Sequence, residues 1–268
     1  MYEKLEKLKN FLKECQKVIV AYSGGVDSTF LLKIAKDTLG ENVLAVTLVS
    51  PIFPKKEIEE AKEFAKKLKV QHIIINNDEL LRKREFIENP PDRCYICKKY
   101  NFQKILEIAK EKNIKCILDG SNADDLKDYR PGRKALKELG ILSPLMEVGF
   151  TKEEIRELSK KLNLPTSEKP SLACLATRIP YGERIEIERL KRIEEGEDFL
   201  SKLGFKQVRV RDYKNMTRIE IEKKDFNLIL KENIRDKIIK KFKDIGYKYI
   251  TLDLEGYRTG SMNEEIKK

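Results

Sequence analysis

The chain has 268 residues, 40% of them hydrophobic and 38% charged, with a formal net charge of +11 at pH 7. That length supports one large core or two ordinary ones, no apolar stretch approaches the roughly 20 residues of a membrane span, and no secretory leader is visible, so a cytoplasmic protein with no membrane partner is expected. The basic residues are scattered among acids, which argues against a nucleic-acid partner, and the single histidine excludes a Ser/His/Asp triad and His-built metal sites.

An opening helix is expected over Tyr2–Glu14. Strands are expected near Lys17–Ala21, Val43–Val49, Val70–Ile75 and Lys115–Leu118, with helical runs at Thr29–Thr38, Lys55–Leu68 and Lys98–Lys112. This alternation predicts an α/β fold with a parallel sheet covered by helices on both faces. Leu139–Gly149 reads as a short extended stretch with turns. Thr151, followed by Glu153 and Glu154, caps a helix that Pro165 should end. Pro165–Gly182 is rich in Pro, Ser and small residues and reads as a linker that is also a functional loop. Beyond it come a helix at Glu188–Leu203, a hairpin of Gln207–Asp212 and Met216–Glu222, a helix at Ile234–Asp244 and a strand at Tyr249–Leu254. The expected organisation is a nucleotide-type domain over 1–165, a linker over 166–184 and a smaller α+β domain over 185–268.

Four segments carry chemistry. Ser23-Gly24-Gly25-Val26-Asp27-Ser28 joins the first strand to a helix. Adjacent glycines let backbone approach a ligand, and free N–H groups with the helix dipole make an anion cradle. Ser23 and Ser28 add hydroxyls, and Asp27 orients the loop or helps to hold Mg²⁺. The spacing is not that of a Walker A loop. The second segment, Asp119–Asp125 with Asp128–Gly132, follows another strand. Gly120 permits a tight turn, Asn122 is a candidate nucleotide contact, Asp124 and Asp125 are candidates for Mg²⁺ or ribose, and Arg130 and Arg133 for phosphate or carboxylate. The third is Cys94-x-x-Cys97, placed just before a helix, where zinc, redox and Fe–S roles all remain open. The fourth, Lys169–Gly182, holds Cys174 and, four residues on, Arg178, which could depress the thiol pKa or bind a phosphate. Cys15, Cys116 and His72 sit in apolar patterns and are read as structural.

These segments, in this order, resemble the LarE-type ATP-dependent sulfur transferases of nickel-pincer cofactor biosynthesis, within the ATP pyrophosphatase (PP-loop) superfamily. The resemblance rests on SGGVDS, RCYICK, the DGSNADD and DYRPG runs, KPSLACLATRIPYG, and LDLEGYRTGS at Leu252–Ser261. It implies an adenine nucleotide α-hydrolase sheet, with ATP and Mg²⁺ as cofactors. It also implies a reaction: adenylation of a carboxylate of a pyridinium dicarboxylate mononucleotide, followed by displacement of AMP by sulfur. Cys174, Asp27 and Arg178 are the implied catalytic set. Arg209 and Arg211 resemble the family's phosphate-binding arginines, and their alternation puts both on one strand face.

The family uses two sulfur strategies. Cys94, Cys97 and Cys174 match the version in which three thiolates hold a 4Fe–4S cluster and one iron stays open for sulfide from a donor. In the other version Cys174 gives up its own sulfur. The family also implies a homo-oligomer. Glu168 and Thr177 depart from the expected Asp and Ser. Two further readings stand beside this one: a tRNA thiolase, and a nucleotide sensor or Fe–S storage module.

Overall fold

Val18-Ile19-Val20 is β-branched and apolar at every position, as a strand buried on both faces requires. In the computed structural model, which describes residues 1–126, 131–170 and 173–264, it is the core of β1 (Val18–Ala21). β2 (Val43–Val49), β3 (Gln71–Asn76) and β4 (Cys116–Leu118) complete a four-stranded sheet in the order β3-β2-β1-β4. All pairings are parallel, with Val18 opposite both Val43 and Cys116. The period of two sorts the side chains. Val18, Val20, Val43 and Ala45 enter one core with the helices Tyr2–Cys15, Val26–Leu39, Lys55–Lys67 and Lys152–Lys161. Ile19, Leu44 and Val46 enter the other with Phe102 and Ile105 of the Arg93–Glu111 helix and Leu136 of Gly132–Glu138. Helices therefore cover both faces.

Phe30, fully buried, meets Phe150 edge-on with ring centroids 5.6 Å apart. Each such side chain contributes roughly 1.5–3 kcal/mol by burial. The contact fixes the start of the Val26–Leu39 helix against the residue before the Thr151 cap.

The chain divides into two compact units, Met1–Leu80 with Asp92–Leu172, and Leu81–Pro91 with Ala173–Lys268. The second unit has its own sheet, in which β5 (Val208–Tyr213) pairs antiparallel with β6 (Met216–Ile221), and β6 parallel with β7 (Tyr249–Leu252). Leu200 of the Ile187–Lys202 helix and Phe242 of Glu232–Asp244 pack on Val208, Val210 and Ile219. The Leu81–Pro91 segment is held by Asn89, whose carbonyl accepts Gly182 N–H at 2.9 Å and whose amide donates to the Pro180 carbonyl at 2.7 Å. Among the described residues no helix is long and apolar enough to cross a membrane.

Three local expectations need correction. The cysteine-bearing helix starts at Arg93, so Cys94 and Cys97 lie in its opening turns and not ahead of it. Pro90 and Pro91 cannot donate backbone hydrogen bonds, and the carbonyl of Asp92 accepts the first one, from Tyr95 N–H at 2.8 Å. The 139–149 stretch holds a short helix, Pro144–Glu147, with proline in its first turn. The Thr151-capped helix ends at Lys161 and not at Pro165, because Asn163 takes the left-handed conformation at φ 52°.

Candidate functional site

The Ser23–Ser28 loop leaves the carboxyl end of β1, and the Asp119–Asp125 loop leaves that of β4, its hydrogen-bonded neighbour. Ligands of parallel sheets gather at this edge. Gly24 has φ +71°, and a Cβ there would lie 3.0 Å from the Ala61 Cβ. Gly25 is the N-cap of the Val26–Leu39 helix, and no side chain caps that end. The first helical bond is Thr29 N–H to the Gly25 carbonyl at 3.0 Å. The Ser23 and Ser28 hydroxyls meet at 3.0 Å, and Gly25 N–H reaches Ser23 Oγ at 3.4 Å. Donors thus converge inside the turn, which fits phosphate oxygens. A Cβ on Gly120 would stand 3.0 Å from Ser28 N, so only glycine lets the β4 loop come this close.

Asp27 pairs with Lys152, the first residue of the Thr151-capped helix, at 2.5 Å. Burial raises its pKa and Lys152 opposes the rise. Its other oxygen, Oδ1, is buried without a hydrogen bond of standard geometry among the described residues, and Asn122 also helps to hold the carboxylate ionised, an arrangement that suits a cation beside a phosphate. Asp124 is engaged otherwise: Oδ2 accepts the Lys152 backbone N–H at 2.8 Å, and Asp124 N–H bonds to Asn122 Oδ1 at 2.9 Å. Asp125 Oδ2 accepts Asn122 N–H at 3.1 Å. Asp124, Asp125 and Asn122 therefore lock the loop. Arg133 donates to the Asp125 carbonyl at 3.4 Å, and Arg130 lies outside the described residues. Buried Asp119 accepts from Lys98 at 3.1 Å and from Ser121 and Ser143, both at 2.6 Å. Burial works against this carboxylate, but Lys98 and the two hydroxyls outweigh it and hold its pKa below the ordinary value.

Cys94 is exposed and Cys97 half-buried. Asn101, one turn on, donates to Cys97 Sγ at 3.4 Å and accepts from buried Asn77 at 2.5 Å. Cys15 and Cys116 pack against the larger core, where burial, and then Cys116, push the Cys15 thiol up to about 12. His72 Nε2 sits 2.7 Å from Thr47 Oγ1, and burial lowers its pKa. Among the described residues, no group of three or more His, Cys, Asp and Glu side chains assembles as a metal site.

The second unit builds a basic cluster. Arg178 is 2% exposed and forks onto Glu197 with two bonds of 2.8 Å. It also donates to the carbonyls of Ala173 at 2.7 Å and Cys174 at 3.1 Å. Its donors are thus spent on fixing the backbone around half-buried Cys174, so Arg178 does not lie open to a phosphate as the sequence suggested. Burial opposes ionisation of Glu197, yet Arg178 prevails and keeps that pKa low. Arg209 and Arg211 do share one face of β5. Arg211 forks onto Glu220 at 2.9 and 2.8 Å and donates to the Thr177 carbonyl at 3.0 Å and Ser261 Oγ at 2.9 Å. Arg209 stacks over Tyr257 at 5.2 Å, and burial, followed by Arg178, pulls its pKa down to about 10. It stays charged at neutral pH. The Cys174 loop, the paired arginines and the GYRTG segment thereby meet in one unit.

Sequence reasoning missed Lys152, Lys98, Asn101 and Glu197. Each lies on a helix face where such a residue ordinarily meets solvent, and only tertiary packing gives it a buried partner.

A sequence family described as NAD synthase matches residues 2–93. An uncharacterized protein of Synechocystis sp. is 40% identical over 99% of this chain and 98% of its own. Another, from Methanocaldococcus jannaschii, is 40% identical over 96% of this chain and 98% of its own. The pyridinium-3,5-bisthiocarboxylic acid mononucleotide synthase of Lactiplantibacillus plantarum is 36% identical over 96% of this chain and 92% of its own.

Proposed function

The chain belongs to the family of the pyridinium-3,5-bisthiocarboxylic acid mononucleotide synthase, and as an ATP-using sulfurtransferase of that family we propose that it converts a carboxylate of a pyridinium dicarboxylate mononucleotide into a thiocarboxylate. The observation that carries this reading is 36% identity sustained over 96% of the chain, a span far longer than the nucleotide loop alone. A substrate carboxylate oxygen attacks the α-phosphorus of ATP, the bond to the β-phosphate oxygen breaks, and pyrophosphate leaves. A sulfur nucleophile then attacks the carbonyl carbon of the mixed anhydride, and AMP departs.

The Ser23–Ser28 loop supports the first step, because its converging N–H and hydroxyl groups suit the charge building on the leaving pyrophosphate. Mg²⁺ at Asp27 Oδ1 would share that charge. Arg209, charged and stacked over Tyr257, supports an anionic substrate, Arg211 braces the neighbouring Thr177 and Ser261, and Arg178 holds the backbone that presents Cys174.

Sulfur delivery is the finer part of the reading. Cys94 and Cys97 stand one turn apart, a pattern that suits two thiolate ligands, and the family resemblance would supply Cys174 as a third. When bound, a 4Fe–4S cluster on three thiolates supplies one exchangeable iron for sulfide.

The test combines anaerobic purification, iron and sulfide assay, and incubation with MgATP, sulfide and the pyridinium dicarboxylate mononucleotide. Pyrophosphate, AMP and a thiocarboxylate product are expected, and a protein that never releases pyrophosphate would overturn the reading. Cys94→Ala should abolish cluster-based activity. A colourless protein with one turnover and a Cys174 that loses its sulfur would replace the cluster by the sacrificial route.

A further inference from the structure

We propose that Lys169 is a positioning residue for the phosphate loop: it fixes the Gly24–Gly25 peptide so that the Gly25 N–H faces the nucleotide. The inference rests on the reading of Ser23–Ser28 as a phosphate cradle.

Lys169 Nζ donates to the Gly24 carbonyl at 3.2 Å and to Glu60 Oε2 at 2.6 Å, and it forms an ion pair with Glu57. Its side chain is only 13% exposed. Two helices organise it. The Lys55–Lys67 helix supplies both glutamates and presses Ala61 against Gly24. Arg156 of the Lys152–Lys161 helix donates to the carbonyls of Ser167 and Lys169, both at 2.6 Å, so the lysine projects from a pinned backbone.

The consequence follows from peptide geometry. In a planar trans peptide the C=O and N–H point to opposite sides, and the chain has no cis bonds among its described residues. Holding the Gly24 carbonyl on the Lys169 side therefore turns the Gly25 N–H to the other side, where it reaches Ser23 Oγ. A peptide between two glycines has the least steric resistance to flipping. A flip would present a carbonyl oxygen to the phosphates in place of a donor. The charge balance also fits a role on the carbonyl side. Two carboxylates surround one ammonium, which suits an anchor held back from the triphosphate better than a lysine meant to grip it.

Calorimetric binding of inorganic pyrophosphate and of Mg²⁺ with α,β-methylene-ATP tests the assignment. Lys169→Met should weaken both about tenfold, the loss expected for one well-aligned charge-assisted hydrogen bond. Lys169→Arg should restore most of the affinity. Glu57→Gln with Glu60→Gln should also weaken binding, because the ammonium loses its hold. Tighter binding in that variant would show that Lys169 grips phosphate directly and would overturn the proposal. The triple variant, Lys169→Met with both glutamines, leaves no unpaired buried charge and covers the case in which Lys169→Met alone does not fold. Its binding within about twofold of the parent would overturn the proposal. A parent protein that binds neither probe would instead bring down the phosphate reading on which this rests.

Discussion

Lys152 Nζ lies 2.5 Å from Asp27 Oδ2, joining the first residue of a capped helix to the acid of the phosphate loop. An acid beside phosphates would repel them if left alone. Here its charge is met by an ammonium whose own backbone N–H is fixed by Asp124.

Lys152→Met should therefore damage the loop without unfolding the protein. Burial already raises the Asp27 pKa, and Lys152 is what opposes the rise. Without the lysine, Asp27 holds its proton to higher pH, so the acid limb of the activity profile moves upward. Activity at neutral pH should fall by about tenfold or more, the scale of one charge-assisted contact, and Lys152→Arg should recover part of it. A pH–rate profile of pyrophosphate release checks the direction, and an unmoved acid limb would refute the linkage.

Asp119 sets a stability prediction with a definite sign. Its pKa is held below the ordinary carboxylate value, by Lys98, Ser121 and Ser143 against the opposition of burial. The folded state thus binds its proton more weakly than the unfolded chain does. The stabilisation is complete above the ordinary carboxylate range and is lost as pH falls through the lower, folded value. Asp119→Asn keeps one acceptor and removes the charge that faces Lys98. It should cost about 2–3 kcal/mol at pH 7, and the variant should lose less further stability than the parent between pH 6 and pH 3. Urea unfolding at a series of pH values measures both.

Arg178 and Glu197 form a buried fork, so breaking it from one side strands the other charge. Arg178→Lys cannot reproduce two parallel bonds and a third to the Cys174 carbonyl. The lysine variant and Glu197→Gln should each destabilise the second unit by about 3 kcal/mol, and the double variant should cost less than their sum. Thermal unfolding of the four proteins gives the coupling. Alkylation of Cys174 should speed up in all three variants, because the backbone around the thiol loses its anchor.

Much of this was written in local patterns. The β-branched run at Val18–Val20 and the strict sorting of Val18 from Ile19 follow from strand geometry alone. Thr151 and Glu154 make the reciprocal cap that their spacing promised. The Ser23–Ser28 turn needed only its two glycines and the strand before it. What the sequence hid depends on distant partners. Arg178 looked available to a phosphate because nothing nearby in sequence announces Glu197, 19 positions on. The use of Asp124 as an acceptor for Lys152 N–H was not legible because it spans 28 positions. The helix bearing Cys94 begins early because two prolines and Asp92 fix its entry, an effect that apolar periodicity does not register.

Asn101 joins the cysteine motif to the interior. Its amide donates to Cys97 Sγ at 3.4 Å while its carbonyl oxygen is held by Asn77 at 2.5 Å. A donor aimed at a cysteine sulfur stabilises negative charge there, the form that binds iron. Asn101→Asp removes the donor and adds a negative charge beside the sulfur, since a carboxylate can still accept from Asn77 but offers the sulfur no proton. If the proposed cluster is bound, the fold should persist while anaerobically reconstituted protein holds less iron than the parent and releases it faster to a chelator. Asn101→Leu should do the same and also strand the Asn77 amide, at a further cost of about 1–3 kcal/mol. Iron content, chelator kinetics and circular dichroism on the three proteins separate the two effects. If Asn101→Asp keeps its iron as long as the parent does, the hydrogen bond to Cys97 is structural and has no part in holding a cluster.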